Sequence, residues 1–291
     1  MIEVIRTAAT FGEQLRQWRQ HRRMSQLALA MEADISPRHL SFVETGRSQP
    51  SRELVLRLVQ RLDVPLRERN GLLIAAGYAP MYPQRALDDP ALAAARGAVQ
   101  RVLEAHEPHP ALAIDRHWNM VMANRMVAPL LAAAAPRLLE PPVNVLRLSL
   151  HREGLAGSIL NLDEWRSHLF ERLHQQIAVT ADPRLADLLA ELRALDAGEH
   201  REGAPAGPDR HAPQARHGGA NAVGGTGSGP ALAVPLRMAT PAGTLALIST
   251  TTIFGSPVDV TLSELAIEAF FPADEQTAER LRALHDAVAV D

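Results

Sequence analysis

Residues 24–51, MSQLALAMEADISPRHLSFVETGRSQPS, carry the signals of two short helices joined by a tight turn. Ser25 is a residue type that caps helix N-termini, because its hydroxyl can accept a hydrogen bond from a free backbone N–H. Leu27, Ala30 and Met31 follow it with the three- and four-residue spacing of a buried helix face. We therefore predict a first helix that begins at Ser25 and buries these three side chains.

The second helix is predicted to begin at about residue 37, after a turn at residues 33–35. Ser36 is a second N-cap candidate. Pro37 suits the first helical position because the missing N–H costs nothing there. Gly46 is a natural C-terminal stop. This stretch thus predicts a helix-turn-helix.

Leu40 and Val43 lie three residues apart and are expected to face the core of this second helix. The outward surface then consists of Pro37, Arg38, His39, Ser41 and Phe42. Phe42 could instead turn into the core. A helix presented in this way is how many proteins read the major groove of DNA. The alternative is an ordinary helical bundle whose polar face happens to carry Arg38 and His39.

Residues 11–62 resemble the Xre-type, phage-repressor-like helix-turn-helix domain through LRQWRQHRRMSQ, ISPRHLSFVETGR and SQPS. Further helices are predicted at residues 51–62 and 66–76, which gives five helices within residues 1–80. The resemblance implies a double-stranded DNA operator as partner and a homodimer on two half-sites.

The resemblance also implies which residues contact DNA. It places Gln26 on a phosphate or a flanking base, and the outward residues Pro37, Arg38, His39, Ser41 and Phe42, with Ser36 before them, towards base edges. Arg38 has the planar fork that pairs with guanine, and Phe42 could pack on a thymine methyl. Arg47 is better placed for a phosphate, whereas Glu44 is expected to make an ion pair inside the domain.

The distribution of charge agrees with a basic DNA-binding domain followed by an acidic second part of the chain. All 30 basic residues are arginine, and residues 1–80 hold 12 of them against 8 acidic residues, whereas residues 81–291 hold 18 against 25. The absence of cysteine and lysine excludes disulfides, thiolate metal sites and the lysine-dependent phosphate loop. Because no apolar run approaches the length of a membrane span or a signal peptide, we expect a soluble cytoplasmic protein.

The second half of the chain mixes strand and helix patterns. After a stiff connection at residues 78–83, a helix is predicted at 87–104, and strands follow at 111–114 and 119–123 before a helix that begins near Asn124. Further strands are predicted at 231–238 and 243–254, and further helices at 162–179, 183–195 and 274–288. The expected fold class is α+β with an antiparallel sheet.

This half resembles the ligand-binding domain of MmyB-like transcription regulators, which is similar to PAS folds. The resemblance rests on IDRHWNMVMAN, NVLRLSLH, NLDEWRSHLFERL and the segment from TTTIFG to ERLRAL. It implies a small apolar, fatty-acid-like ligand and no resident cofactor. The expected domain map is a DNA-binding domain at 1–80, a linker with a connecting helix at 81–105, and a ligand-binding domain at 106–291. Residues 198–229, rich in Gly, Ala and Pro, are predicted to be a disordered loop.

The apolar candidates for a ligand pocket are Trp118, Met120, Met122, Trp165, Leu169, Phe170, Ile253 and Phe254. For each of them an ordinary core position is the favoured interpretation, because a domain of this size must bury such side chains in any case. Asn144 and Arg147 are the polar groups that could meet a carboxylate. Arg147 lies within an apolar run and, if buried, needs an anionic partner, which could be a protein carboxylate instead.

Metal and enzymatic chemistry are not expected. His106, His109 and His117 are close in sequence, but prolines keep His106 and His109 off a common helix face, and no H-E-x-x-H pattern occurs. Further histidines fall in the 198–229 loop: His200, His211 and His217. A triad of Ser249, Asp259 and His285 lacks the turn that exposes a nucleophilic serine.

We thus expect a transcription regulator that senses a small apolar ligand. The alternative is a DNA-binding antitoxin or scaffold whose C-terminal domain binds a protein partner.

Overall fold

The computed structural model describes residues 9–202, 234–255, 257 and 259–288. Five helices make up its N-terminal part: α1 (Phe11–His21), α2 (Gln26–Glu32), α3 (Pro37–Glu44), α4 (Arg52–Arg61) and α5 (Leu66–Ala75). The first four begin at capping side chains, whose oxygens accept from the backbone N–H three residues ahead: Thr10, Ser25, Ser36 and Ser51. Local hydrogen bonding therefore sets where these helices start.

The predicted turn and stop around α3 are confirmed. Asp34 in the turn and Gly46 after the helix both have positive φ, at 53° and 72°. Leu40 and Val43 are buried as predicted. The predicted buried face of α2 is wrong, however, because Leu27 and Met31 are 58% and 72% exposed.

The core of the five helices explains that error. On α2, Leu29, Ala30 and the following Ala33 are fully buried, and Ala30 belongs to both possible faces. They join one apolar cluster with α1, α3, α4 and α5, in which Leu15 and Leu58 are also fully buried. Packing against the neighbouring helices, and not the spacing alone, selected the face.

The stretch between the two halves is anchored to α5. The amide of Asn70 accepts from the N–H groups of Met81 and Tyr82 and donates to the carbonyl of Tyr82. A short 3-10 helix (Pro90–Leu92) then leads into α6 (Ala93–Ala105). Val99 and Leu103 of α6 pack on the sheet. The helix expected as a connector thus contributes to the core of the second half.

The second half contains a five-stranded antiparallel sheet in the order β2-β1-β5-β4-β3. Its strands are β1 (Ala111–Ile114), β2 (Met120–Ala123), β3 (Leu236–Thr240), β4 (Gly243–Ile253) and β5 (Ala266–Pro272). The expected α+β class is confirmed. The sequence patterns did not predict β5, which nevertheless occupies the centre and pairs with both β1 and β4.

Further helices cover the sheet: α7 (Ala128–Leu131), α8 (Val145–Leu150), α9 (Leu162–Thr180), α10 (Pro183–Glu202), α11 (Val260–Ser263) and α12 (Glu275–Val288). The helix expected at Asn124 is wrong by four residues, because a turn precedes the short α7. Helix α10 runs on to Glu202, so residues 198–202 are helical and not part of a loop. The rest of the expected loop, residues 203–229, lies outside the described residues.

Asn124 has a different role, which ties the start of the sheet together. Its Oδ1 accepts from the N–H of Ala111 at 3.1 Å, and its Nδ2 donates to the carbonyls of Leu103 and His109 at 3.1 and 2.9 Å. The residue is buried, and these three bonds satisfy its amide almost completely. It thereby fixes α6, β1 and the loop before β1 relative to one another.

The two faces of the sheet carry different clusters. One face packs against α6, and the other packs a larger cluster with α8, α9, α10 and α12. Strand β2 contains a β-bulge: Met122 pairs with Ala113 and Met120 pairs with Ile114, so Val121 has no partner on β1. Because of this extra residue, Met120 and Met122 point to opposite faces of the sheet. The larger cluster contains the cavity described below.

Candidate functional sites

The surface of α3 is the first candidate site. Pro37 and Arg38 are exposed there, and His39, Ser41 and Phe42 are partly exposed. The guanidinium carbon of Arg38 lies 5.3 Å from the centre of the Phe42 ring. The Ser36 hydroxyl accepts from the N–H of His39, so Ser36 is engaged as the cap of α3. The predicted outward residues therefore share one surface, although Phe42 is only partly exposed.

A buried ion pair joins α1 to the C-terminal end of α3. Arg19 of α1 donates from Nε and Nη2 to the two carboxylate oxygens of Glu44, at 2.6 and 2.9 Å. Burial alone would raise the pKa of Glu44, but hydrogen bonds from Arg19 and Gln26 outweigh it and hold the pKa below its ordinary value. Gln26 donates to the same carboxylate at 2.7 Å. Glu44 thus orients the Gln26 side chain where the start of α2 meets the end of α3.

Gly12 shows how closely α1 approaches the end of α3. A Cβ atom at Gly12 would lie 2.5 Å from the carbonyl oxygen of Glu44. The exposed Arg47 follows directly after this end of α3, past Gly46. The position of α3 is therefore defined by both a backbone contact and the Arg19–Glu44 pair.

Arg22 joins the two halves of the chain. Its guanidinium donates to the carbonyls of Leu62 and Asp63 in the helical domain and of Ala178 and Val179 at the end of α9. A second contact joins α5 to the residue after α11, where Arg67 donates to both oxygens of Glu264 at 2.8 and 2.7 Å. Polar contacts therefore dock the helical domain against the second half.

The second candidate site is a cavity of about 80 Å³ between the sheet and helices α7–α9. Four of the predicted pocket residues line it: Trp118, Met120, Trp165 and Leu169. Further apolar wall residues include Leu112, Leu146, Leu148, Leu247 and Phe270. A predominantly apolar wall suits an apolar ligand.

Arg172 and Glu268 are the charged residues in the described wall of this cavity. Arg172 donates to the two Glu268 oxygens at 3.1 and 2.6 Å, and to the Thr251 hydroxyl at 2.8 Å. Its guanidinium also stacks over the Trp118 ring at 4.8 Å. The two charges therefore neutralise each other within the wall.

The other predicted pocket residues lie outside the cavity wall. Met122 and Phe254 pack on the opposite face of the sheet, and Phe170 packs at the margin of the larger cluster. Ile253, at the end of β4, is 70% exposed. The alternation of strand side chains, with the bulge in β2, accounts for Met122.

The two polar candidates are also engaged elsewhere. Asn144 caps α8 through the N–H of Arg147 and donates to the carbonyl of His117 at 2.8 Å. Arg147 projects from α8 towards α10, where it donates to both Glu191 oxygens at 2.7 Å. Residues 145–150 form a helix, in which neighbouring side chains point in different directions. Arg147 is therefore exposed although Leu146 and Leu148 on either side of it are buried.

The sequence patterns did not predict Arg172 and Gln176 as site residues. Both lie on α9 at positions that continue the face of Trp165 and Leu169, with successive spacings of four, three and four residues. That periodicity is the signal that could have identified them. Gln176 accepts from the Trp118 indole Nε1 at 2.6 Å and donates to the carbonyl of Arg116 at 2.9 Å.

The histidines and the residues of the nominal triad have different partners, and His285 of α12 contacts Arg125. His106 and His109 pack against the Phe271 ring, whereas His117 contacts Asp182 at 3.0 Å. His211 and His217 lie outside the described residues, as does the side chain of His200. Asp259 caps α11, and Ser249 pairs with Phe270 in the sheet. In the described segments, no group of three or more His, Asp or Glu side chains could hold a metal ion.

The fold and the two sites define a helix-turn-helix protein with a ligand-binding domain. Residues 10–72 match a helix-turn-helix domain, and residues 95–284 match the MmyB-like transcription regulator ligand binding domain. The chain therefore belongs to the family of MmyB-like transcription regulators. No curated protein matches the chain. None of the helices in the described residues is long and apolar enough to cross a membrane.

Two solved structures are similar to this chain, one over about a third of it and the other over nearly all of it. The clp gene regulator ClgR from Corynebacterium glutamicum is 30% identical over 34% of this chain and 90% of that chain, with a TM-score of 0.21. An RNA-binding light-oxygen-voltage receptor is 12% identical over 98% of this chain and 64% of that chain, with a TM-score of 0.26. At these TM-scores neither likeness bears on the function of the chain.

Proposed function

We propose that this transcription regulator is a cytoplasmic, sequence-specific DNA-binding protein that responds to a small apolar, fatty-acid-like ligand. The observation that carries the proposal is an apolar cavity lined by Trp118, Trp165 and Leu169, in a domain docked against a helix-turn-helix. Helix α3 would enter the DNA and the cavity would hold the ligand. The protein would bind as a homodimer on two half-sites.

The exposed surface of α3 supports the DNA contacts. Arg38 projects into solvent beside Phe42, so its guanidinium can reach guanine O6 and N7. We assign base contacts to Pro37, Arg38, His39, Ser41 and Phe42, and phosphate contacts to Arg47 and to the start of α2 at Gln26. Ser36 would present the N-terminus of α3 to the DNA through the helix that it caps.

The size of the cavity constrains the ligand mechanism. A cavity of about 80 Å³ is smaller than the roughly 150 Å³ that holds a benzene molecule in an engineered protein core. A fatty-acid-like chain would therefore have to displace part of the wall. Leu130 and Leu131 of α7 are partly buried wall residues, and none of the four residues of this short helix is buried. α7 therefore has little packing to lose. We propose that the ligand enters by moving α7.

A chain of hydrogen bonds would carry this change to the DNA-binding domain. Trp118 in the cavity wall bonds to Gln176, and Gln176 bonds to the backbone of Arg116. The Arg116 guanidinium contacts Glu264 at 3.0 Å and lies 3.7 Å from Glu68 of α5. Ligand binding that shifts Trp118 would thus alter how α5 is held, and with it the placement of α3.

The test combines a ligand assay and a DNA assay on the delipidated full chain. Saturated fatty acids and alcohols of increasing length should raise the melting temperature progressively until the pocket is filled, because a ligand of the folded state stabilises it by mass action. The best ligand should also change the affinity for a duplex obtained by selection from random sequences. A protein that selects no sequence would contradict the DNA assignment. Melting points unchanged by every chain length would contradict the ligand assignment.

A further inference from the structure

The indole of Trp165 is the starting point for the chemistry of the ligand head. Trp165 lines the cavity and is 3% exposed. Within the part of the chain that the structure describes, its Nε1 is a buried side-chain donor with no hydrogen-bond partner. The other tryptophan of the wall differs, because Trp118 donates to Gln176. Buried indole N–H groups ordinarily have a partner, so Trp165, a residue of the cavity wall, carries an unused donor.

The charges of the wall limit what that partner can be. Arg172 and Glu268 hold each other at 2.6 and 3.1 Å, and Thr251 donates to the same carboxylate at 2.8 Å. Arg147, the residue expected to meet a carboxylate, is held outside the cavity by Glu191. A carboxylate ligand would therefore find its nearest cation already neutralised and would lie near the negative charge of Glu268.

We propose that the ligand carries an uncharged hydrogen-bond acceptor, such as a hydroxyl, carbonyl or ester oxygen, which accepts from Nε1 of Trp165. This inference rests on the proposed binding of an apolar ligand in the same cavity. An uncharged head group binds more favourably than a carboxylate, because a buried carboxylate without a free cation loses its hydration and gains no compensating partner. The apolar tail fills the cavity and the space opened by displacing α7, and Trp165 orients the head.

The experiment compares octanol, octanoate and octane on the delipidated full chain at neutral pH. The 15N–1H indole resonances of the three tryptophans report the contact directly. Octanol should move the Trp165 signal downfield and leave Trp18, in the helical domain, unchanged. Calorimetric titration should show octanoate binding roughly tenfold more weakly than octanol, because its charge must be desolvated.

Variants isolate the hydrogen bond. Trp165→Phe should weaken octanol binding by roughly threefold to tenfold, the effect of one neutral hydrogen bond, and spare octane. Trp18→Phe is the control for losing an indole away from the cavity. If Trp165→Phe fails to fold, the Trp165 resonance of the native chain decides the matter alone.

The outcomes separate this inference from the proposed function. Octanol binding without movement of the Trp165 signal would overturn the inference and leave the apolar ligand standing. Octanoate binding as tightly as octanol, or equal losses for octanol and octane in Trp165→Phe, would overturn it as well. If none of the three compounds binds, both the inference and the apolar ligand fail together.

Discussion

Arg19 and Glu44 form a buried two-bond ion pair that joins α1 to the C-terminal end of α3. The two side chains are 10% and 2% exposed, and the shorter N–O distance is 2.6 Å. Gln26 adds a third hydrogen bond to the same carboxylate. Because a buried pair of this kind is costly to break from one side, it makes the geometry of α3 depend on a residue far away in sequence.

Glu44→Gln should destabilise the protein by about 3 kcal/mol, since it leaves the Arg19 guanidinium buried without its anion. Chemical denaturation of the native chain and the variant measures the difference. Glu53→Gln is the matched control, because Glu53 is 85% exposed and pairs with Arg57 on the surface. Similar losses in both variants would contradict a special role for the buried pair.

The same pair predicts a pH dependence. The pKa of Glu44 in the folded protein is lowered from its ordinary 4.5, so its contribution is fully present above about pH 4.5. That contribution should be lost as the pH falls through the lowered pKa of the folded state. Denaturation midpoints measured across the acidic range should fall for the native chain, and the difference from Glu44→Gln should shrink. A constant difference at all pH values would refute this.

Arg38→Ala and Arg47→Ala should affect DNA binding differently. A lost base contact by Arg38 should cost roughly 1–3 kcal/mol on the cognate duplex and relax the sequence preference. A lost phosphate contact by Arg47 should weaken binding to all sequences and reduce the salt slope by about one. Anisotropy titrations on matched and mismatched duplexes over a salt series distinguish the two. Uniform losses for Arg38→Ala would contradict base reading.

Gln176→Leu should uncouple the ligand from DNA while leaving each binding event largely intact. The substitution breaks the bridge between the Trp118 indole and the Arg116 carbonyl. The ratio of DNA affinities with and without ligand should move towards one, because coupling requires contacts that both sites bias. Gln175→Leu is the control, since Gln175 is exposed and bonds only to Glu171 among the described contacts. An unchanged ratio in Gln176→Leu would exclude this route.

Asn124→Asp should destabilise the second domain by about 1–3 kcal/mol, the cost of leaving buried polar groups unpaired. The aspartate keeps an acceptor for the Ala111 N–H but cannot donate to the carbonyls of Leu103 and His109. Calorimetric melting provides the measurement. Loss of protection of the β1 amides in hydrogen exchange would show where the effect lies, and unchanged melting would contradict the role of Asn124.

The helix-turn-helix could be predicted from the sequence because its signals are local. A cap such as Ser36 and the N–H that it satisfies are three residues apart, and a stop such as Gly46 acts within one turn. Strand β4 was also evident from its β-branched residues. Even here the choice between two overlapping faces of α2 depended on its neighbours, which is why Leu27 and Met31 were misplaced.

The cavity depended on contacts between distant parts of the chain. Strand β5 is central only because β1 and β4 pair with it. The pairing with β1 joins residues more than a hundred positions apart, and the pairing with β4 requires the chain to fold back on itself. The bulge at Val121 decided that Met120 and not Met122 reaches the cavity. Glu191 decided that Arg147 points away from it.

The sequence by itself therefore determined the family, the helix-turn-helix and the α+β class of the second domain, because capping, periodicity and motifs operate over a few residues. Only the tertiary structure decided which side chains share the cavity, since strand register and ion-pair partners arise when distant segments meet. Trp165 illustrates both levels: its type and helix face were readable in the chain, whereas the lack of a partner for its buried indole N–H was not.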